Sequence, residues 1–299
     1  CVSARLETKP GDPAVEQAVA KASQWLEERL PRLKRATGDA IYNVWGHIYA
    51  IQALVRLHDR TGQTPAERAT YAKLVRDQLD MLDRYESVDG GWGYYDFRGQ
   101  ARKPTSDSIS FVNAAALIAM KEAEAIGVPL TMRTVERAIA ATRRQQKKDY
   151  SFLYGEYLKE APMREVNRPA GSLGRSQACN AALRMWDDEK ITDNVLKNWL
   201  YRLYVRNGWL SIGRKRPIPH ESSFQVAGYF YFFGHYYAGY CVELLPEKDR
   251  PEYRAWLARI IIDHQEKDGS WWDYPIYGYY KAYGTAYALM TLARCRDGR

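Results

Sequence analysis

Four short aromatic turns at near-constant spacing constrain this chain more than any other feature. They are the Asp-Gly-Gly-Trp turn at Asp89–Trp92, the turn at Asp149–Phe152, Asn207-Gly208-Trp209, and the turn at Asp268–Trp271. Trp92, Phe152, Trp209 and Trp271 stand 60, 57 and 62 residues apart. Each turn follows a charged amphipathic stretch and precedes an apolar one rich in small residues. Such a period predicts one helix pair per repeat, each pair burying its apolar face only against its neighbours. The apolar stretches begin alike at Gly46, Ser110, Gln177, Gly234 and Gly284, each with Ala four positions on and on the same helical face.

The pattern predicts outer helices over about 13–35, 65–87, 130–148, 191–206 and 250–267, with charged solvent faces. Inner helices are expected over about 41–58, 107–126, 171–187, 221–244 and 282–296, where Ala and Gly permit close approach. Gly62 with Pro65, Gly127 with Pro129, and Pro246 punctuate the crossings, and Thr192 and Asp193 are candidate caps. The expected fold is all-α, an α/α toroid (barrel) of about five to six outer–inner helix pairs. Residues 1–12 form an N-terminal tether and 13–299 a single domain. An open solenoid is the rival, but a unit of about 60 residues exceeds the ~34–47 of common helical solenoids.

The fourth inner segment, His220 to Glu243, is the most aromatic. It holds Phe224, Tyr229, Phe230, Tyr231, Phe232, Phe233, Tyr236, Tyr237 and Tyr240. A helix aromatic on nearly every side is a buried one, and this run is too rich in Tyr, Gly and His for a membrane span of about 20 apolar residues. Gly228, Phe232, His235 and Gly239 fall on one face by spacing.

Charge and cysteine usage narrow the partners. The formal net charge is +8, yet the basic residues are dispersed and no nucleic-acid motif accompanies them, so nucleic acid is not an expected partner. Arg143, Arg144, Lys147 and Lys148 suit the C-terminal end of a helix. Cys179, Cys241 and Cys295 lie within apolar helical patterns, and the five His residues form no ligand spacing, so neither metal nor cofactor is expected. Cys1, ahead of a polar, proline-containing stretch, matches the start of a bacterial lipoprotein after signal removal. That reading places the chain at the cell envelope or periplasm, held to a membrane only by lipid on Cys1. A boundary that merely falls on Cys1 places it in the cytoplasm.

Gln265, Gly269 and Trp271 match the Q-x3-G-x-W core of the QW repeat, with Glu86, Gly90 and Trp92 a degenerate copy. On these residues, with the Phe232–Tyr240 and Tyr283–Arg294 stretches, the chain resembles the terpenoid cyclase and protein prenyltransferase superfamily. More narrowly it is similar to bacterial prenyltransferase/squalene-oxidase-repeat proteins. The resemblance spans about residues 40–295. It implies an α/α barrel in which the Trp packs over the end of an outer helix and the Gln bonds the start of the next inner helix. It also implies a ring-lined central cavity for an isoprenoid or similar lipid. The chain departs from the family's catalytic patterns: D-x-D-D, D-D-x-x-D, Asp-x-Cys and C-G-E-Q are all absent.

Candidate residues are those expected near the starts of inner helices. His235, Asp107 and Glu221 are the catalytic candidates. His235 sits among rings, Asp107 opens the second inner helix as either a cavity carboxylate or a helix cap, and Glu221 stands beside His220. His47 matches His235 in the repeat, either on the same cavity wall or as a packing habit. Arg175 could bind an anion at a helix start. Trp45, Tyr229, Tyr236, Trp272, Asp273 and Tyr283 complete the expected ligand-binding set. Asp187 and Asp188 are expected at the surface. Three functions compete. One is an isoprenoid- or lipid-binding protein, cyclase-like or transferase-like. The second is a carbohydrate-active enzyme or glycan binder using Asp107, Glu221 and Asp273, and the third is a non-catalytic envelope scaffold. The excess of Tyr over Phe, 23 against 7, points to a polar-edged cavity.

Overall fold

A computed structural model describes residues 12–34, 43–60, 62–94, 107–216, 228–275, 278 and 280–296. Cys1 and Glu221 lie outside the described residues. The fold class is all-α, of the α/α-toroid type. Among the described residues, outer helices α1 (Pro13–Arg29), α3 (Pro65–Tyr85), α5 (Met132–Arg144), α7 (Asp193–Val205) and α10 (Arg250–Ile262) alternate with inner ones. The inner helices are α2 (Val44–His58), α4 (Ser110–Ala125), α6 (Leu173–Met185), α9 (Phe230–Glu243) and α11 (Tyr280–Cys295). A short helix α8 (Asn207–Ile212) follows α7. No helix among the described residues is long and apolar enough to cross a membrane.

The chain forms two compact units. One comprises the residues up to Arg144 together with Gly155–Tyr157, the other Gln145–Tyr154 and Leu158–Arg299. In the N-terminal unit α2 packs on α3 and α4, and α4 on α5. In the C-terminal unit α9 packs on α6, α11, α10 and α7. Local signals set the ends. Thr64 and Glu67 form a reciprocal capping box at α3, and Thr192 caps α7 through the Val195 N–H at 3.3 Å. Inner helices α4, α6 and α9 are buried almost all round because their small residues let neighbours approach. A Cβ on Gly234 would lie 2.6 Å from the Gly174 Cα, so α6 and α9 meet backbone to backbone there.

Three of the four aromatic turns share one hydrogen-bond pattern. In the N-terminal unit the Ser87 N–H donates to Gly91 O (2.8 Å) and the Gly90 N–H to Ser87 O (2.9 Å). In the C-terminal unit Lys147 to Ser151 and Tyr150 to Lys147 repeat these bonds, as do Glu266 to Ser270 and Gly269 to Glu266. The pivot residue is left-handed each time, with φ 97° at Gly90, 61° at Tyr150 and 80° at Gly269. The Nε1–H groups of Trp92 and Trp271 donate to the carbonyls ten residues earlier, Leu82 and Ile261, closing the last turn of the outer helix.

Several expectations are corrected. Asn207, Gly208 and Trp209 do not form a fourth such turn; they begin helix α8, and Trp209 is exposed. The Gln265 amide bonds Gly269 O within its own turn, and the stitch to the next inner helix is made by the Trp271 N–H to Thr285 Oγ1. The fourth inner helix starts at Phe230, because Gly228 sits in a turn against Gly213 O and Asp273 O with no room for a Cβ. Of the expected face, Gly228 stands outside the helix, while Phe232, His235 and Gly239 lie within it at i, i+3 and i+7. Asp188 is buried rather than superficial, accepting from the Lys190 N–H.

Candidate functional site

The C-terminal unit concentrates its unusual chemistry at the N-terminal end of α9. Asp273, two residues past the Trp271 turn, has its carboxylate Oδ2 3.0 Å from the Phe232 N–H, in the first turn of that helix. Its own carbonyl accepts from the Lys215 N–H. The side chain is 1% exposed, and Oδ1 makes no hydrogen bond among the described residues. Burial raises its pKa to about 7, against the opposing pull of the Phe232 N–H and of the Arg214 charge. A carboxyl poised there can hold or give up a proton near neutrality.

Rings are frequent in the segments next to this group. Tyr229 meets Tyr274 edge-on at 5.4 Å, and the Tyr283 hydroxyl donates to Tyr229 O at 3.1 Å. Lys215 Nζ lies 4.5 Å from the centre of the Trp272 ring and pairs with Glu266 at 2.6 Å. Tyr229, Trp272, Tyr274 and Tyr283 form a half-buried aromatic group, and Trp272 and Tyr274 flank Asp273 in the chain. Tyr236 does not join it; it is buried against Tyr287 and Tyr240, with its hydroxyl 2.9 Å from that of Tyr240.

His235 faces the other way. Its Nδ1 is 2.7 Å from Tyr231 O, which fixes the proton on Nδ1, and its Nε2 accepts from the Asn207 amide at 2.8 Å. Asn207 Oδ1 in turn accepts from the Tyr231 hydroxyl at 2.7 Å, and that hydroxyl lies 3.2 Å from Nε2 of His264. Burial lowers the His235 pKa to about 4, so the ring is neutral. Phe233 and Tyr237, two residues to either side, lie about 200° around the helix from it.

The N-terminal unit repeats this arrangement. His47 is fully buried, its Nδ1 2.7 Å from Gln78 Oε1 on outer helix α3, and burial lowers its pKa. Trp45, stacked between Tyr49 and Phe111 at 5.6 and 6.0 Å, occupies the opposite face of α2. In both inner helices the imidazole meets a carboxamide, of Asn207 or Gln78, and packs on a Tyr ring, of Tyr231 at 4.6 Å or Tyr85 at 5.9 Å. The matching histidines follow the packing habit of the repeat.

Arg175 is 3% exposed and spends its guanidinium on the carbonyls of Phe152 (2.9 Å), Gly171 (3.2 Å) and Val166, tying the preceding loop to α6. Asp107 does not cap α4. The N-cap residue is Ile109, without a side-chain bond, and Asp107 stands two residues earlier with φ 100°. Around it the N-terminal unit gathers acids that sequence reasoning missed. Glu156 is clamped by Arg144 at 2.6 and 3.0 Å and touched by Ser108 Oγ at 3.2 Å. Burial, then the Glu156 and Asp107 charges, raise the Asp89 pKa. Arg144 thus ends α5 as expected, exposed while it holds Glu156. Glu156 carried no sequence signal, being 48 residues from Ser108; Asp89 was visible only as a turn residue. No group of three potential metal ligands exists among the described residues.

Against solved structures, the chain is similar to Lin0763 from Listeria innocua, at 14% identity and a TM-score of 0.61, covering 98% of this chain and 82% of that one. It is also similar to the cellobiose 2-epimerase of Spirochaeta thermophila, at 16% identity and a TM-score of 0.58, covering 98% and 85%. These likenesses establish the fold. No family model matches the chain, and no curated protein matches it.

Proposed function

We propose that this chain is a carbohydrate-active protein that takes a reducing sugar or short oligosaccharide and moves a proton on it, with Asp273 as the acid/base group. The observation that carries the reading is Asp273 itself, a buried carboxyl whose Oδ1 has no hydrogen-bond partner among the described residues and whose pKa burial raises to about 7, between Trp272 and Tyr274 in the chain. Withdrawing a proton from a carbon beside a sugar carbonyl, and returning one, needs no cofactor. It needs a group that is partly ionised at neutral pH, and that is what burial makes of Asp273. Aromatic faces meet the C–H face of a pyranose while Tyr hydroxyls and the Trp N–H meet its rim. The fold shared with a cellobiose 2-epimerase supports the same substrate class.

The isoprenoid reading keeps one specific support. Phe230, Phe233, Tyr237 and Tyr240 form a continuous ring stripe along α9, with neighbouring centroids 4.6–5.9 Å apart, and such faces stabilise developing cations. The QW-like turns at Trp92 and Trp271 belong to that resemblance. A single assay separates the two. Incubating the protein with reducing disaccharides in heavy water and reading deuterium beside the carbonyl carbon by NMR should show exchange that Asp273→Asn abolishes. No exchange with any sugar, together with binding of polyprenyl diphosphates, would replace the carbohydrate reading by the isoprenoid one.

A further inference from the structure

Asp273 is buried, and the segment that follows α8, Gly213 to Arg216, lies against it. The Lys215 N–H donates to Asp273 O. Gly228 is wedged between the two: a Cβ there would stand 2.6 Å from Gly213 O, 2.7 Å from Asp273 O and 3.3 Å from Arg214 Cα. The Arg214 guanidinium lies 5.5 Å over the Tyr231 ring, and its charge acts on the Asp273 carboxyl. Lys215 adds two side-chain contacts to its backbone bond. Its Nζ pairs with Glu266 at 2.6 Å and stands 4.5 Å from the centre of the Trp272 ring, one residue before Asp273. It does so from a left-handed backbone, φ 65°, which a residue with a side chain keeps only where its surroundings hold it.

We propose that Lys215 is a latch, fastening the Gly213–Arg216 segment over Asp273, and that its release is the step that opens this carboxyl to solvent and substrate. Only the word substrate rests on the carbohydrate reading; the latch stands on the contacts. Two features make Lys215 a latch and not a fixed brace. Lys215 and Glu266 are 33% and 29% exposed, and an ion pair that wet is weak and screened by salt. The left-handed backbone stores strain that opening relieves. A carboxyl that is buried to hold its proton near neutrality, and must still meet a substrate, needs such an opening.

Carbodiimide coupling of a small amine to the carboxyl groups, read by peptide mass spectrometry, measures how often Asp273 opens, because labelling of a covered group follows its open population. Lys215→Gly is the first variant, since glycine keeps the left-handed turn without strain while losing the ion pair and the ring contact. Asp273 should couple about tenfold faster in it than in the wild type, and about threefold faster in Glu266→Gln, with Lys215→Arg close to the wild type. Going from about 0.01 M to about 1 M NaCl should speed coupling in the wild type and not in Lys215→Gly. Equal Asp273 coupling in the wild type and Lys215→Gly overturns the latch. So does an acceleration shared by Glu86, a buried carboxyl of the N-terminal unit, because it reports loosening of the whole fold. Neither outcome involves a sugar. Faster coupling in Lys215→Gly, with no deuterium exchange into any sugar, upholds the latch and overturns the carbohydrate reading.

Discussion

The turn at Glu266–Trp271 and the segment at Asn207–Ile212 occupy equivalent places in the repeat and have opposite fates. In the first, polar groups serve the backbone: Asp268 holds the Ser270 N–H and hydroxyl, and the Trp271 indole closes α10. In the second, the turn has become helix α8, its Trp points to solvent, and the Asn207 side chain is released to join His235 and Tyr231. The stitch is present where the Trp271 indole closes the outer helix and absent at Trp209, where the Asn207 side chain bonds His235 and Tyr231 instead.

The widest contrast is between the two tryptophans. Trp271→Ala removes a buried ring and orphans the Ile261 carbonyl, and about 3–5 kcal/mol of stability should be lost in urea unfolding. Trp92→Ala should cost as much. Asn207→Ala leaves His235 Nε2 and the Tyr231 hydroxyl without their partner and should cost about 1–3 kcal/mol. Gly234→Ala forces a Cβ to 2.6 Å from Gly174 and should cost a similar amount, about 1–3 kcal/mol, by overpacking.

Asp273→Asn tests the other end of α9. The folded-state pKa, about 7, stands above an ordinary aspartate near 3.9. The extra proton bound by the native state thus stabilises it fully below about pH 4 and is lost as pH rises through 7. The amide, free of that charge, should therefore gain about 3 kcal/mol over the wild type at pH 8 relative to pH 4.5, as read by melting temperature. Smallest of all, Trp209→Ala should change stability by less than about 0.5 kcal/mol, because its ring is 45% exposed where the Trp271 ring is 4%. If Trp209→Ala costs as much as Trp271→Ala, the contrast between the two segments fails.

Much of this was legible in the sequence. The helix order follows from the alternation of charged and small-residue stretches, and Thr192, Pro65 and the three faithful turns mark their boundaries. The recurrence of His47 and His235 was visible too. Their direction was not, because the phase of a helix buried all round has no polar side to fix it, and only Gln78 and Asn207 show which layer each faces. Asn207 itself was disguised by the Gly and Trp after it, which mimic the other turns. Asp273 could be nominated from its place beside the best turn. Its perturbation could not, since that comes from burial, which prevails over the opposing bond from Phe232, 41 residues away.

The ionisation of Asp273 is the most direct test. Carboxyl carbon-13 resonances of aspartate-labelled protein, titrated from pH 3 to 9 and compared with Asp273→Asn, would isolate it. A carboxyl that titrates near 7 in the wild type and is missing from the variant is the expected result. If the resonance lost in the variant titrates near 4 like a solvated aspartate, Asp273 is a simple helix-end ligand and the acid/base role assigned to it is wrong.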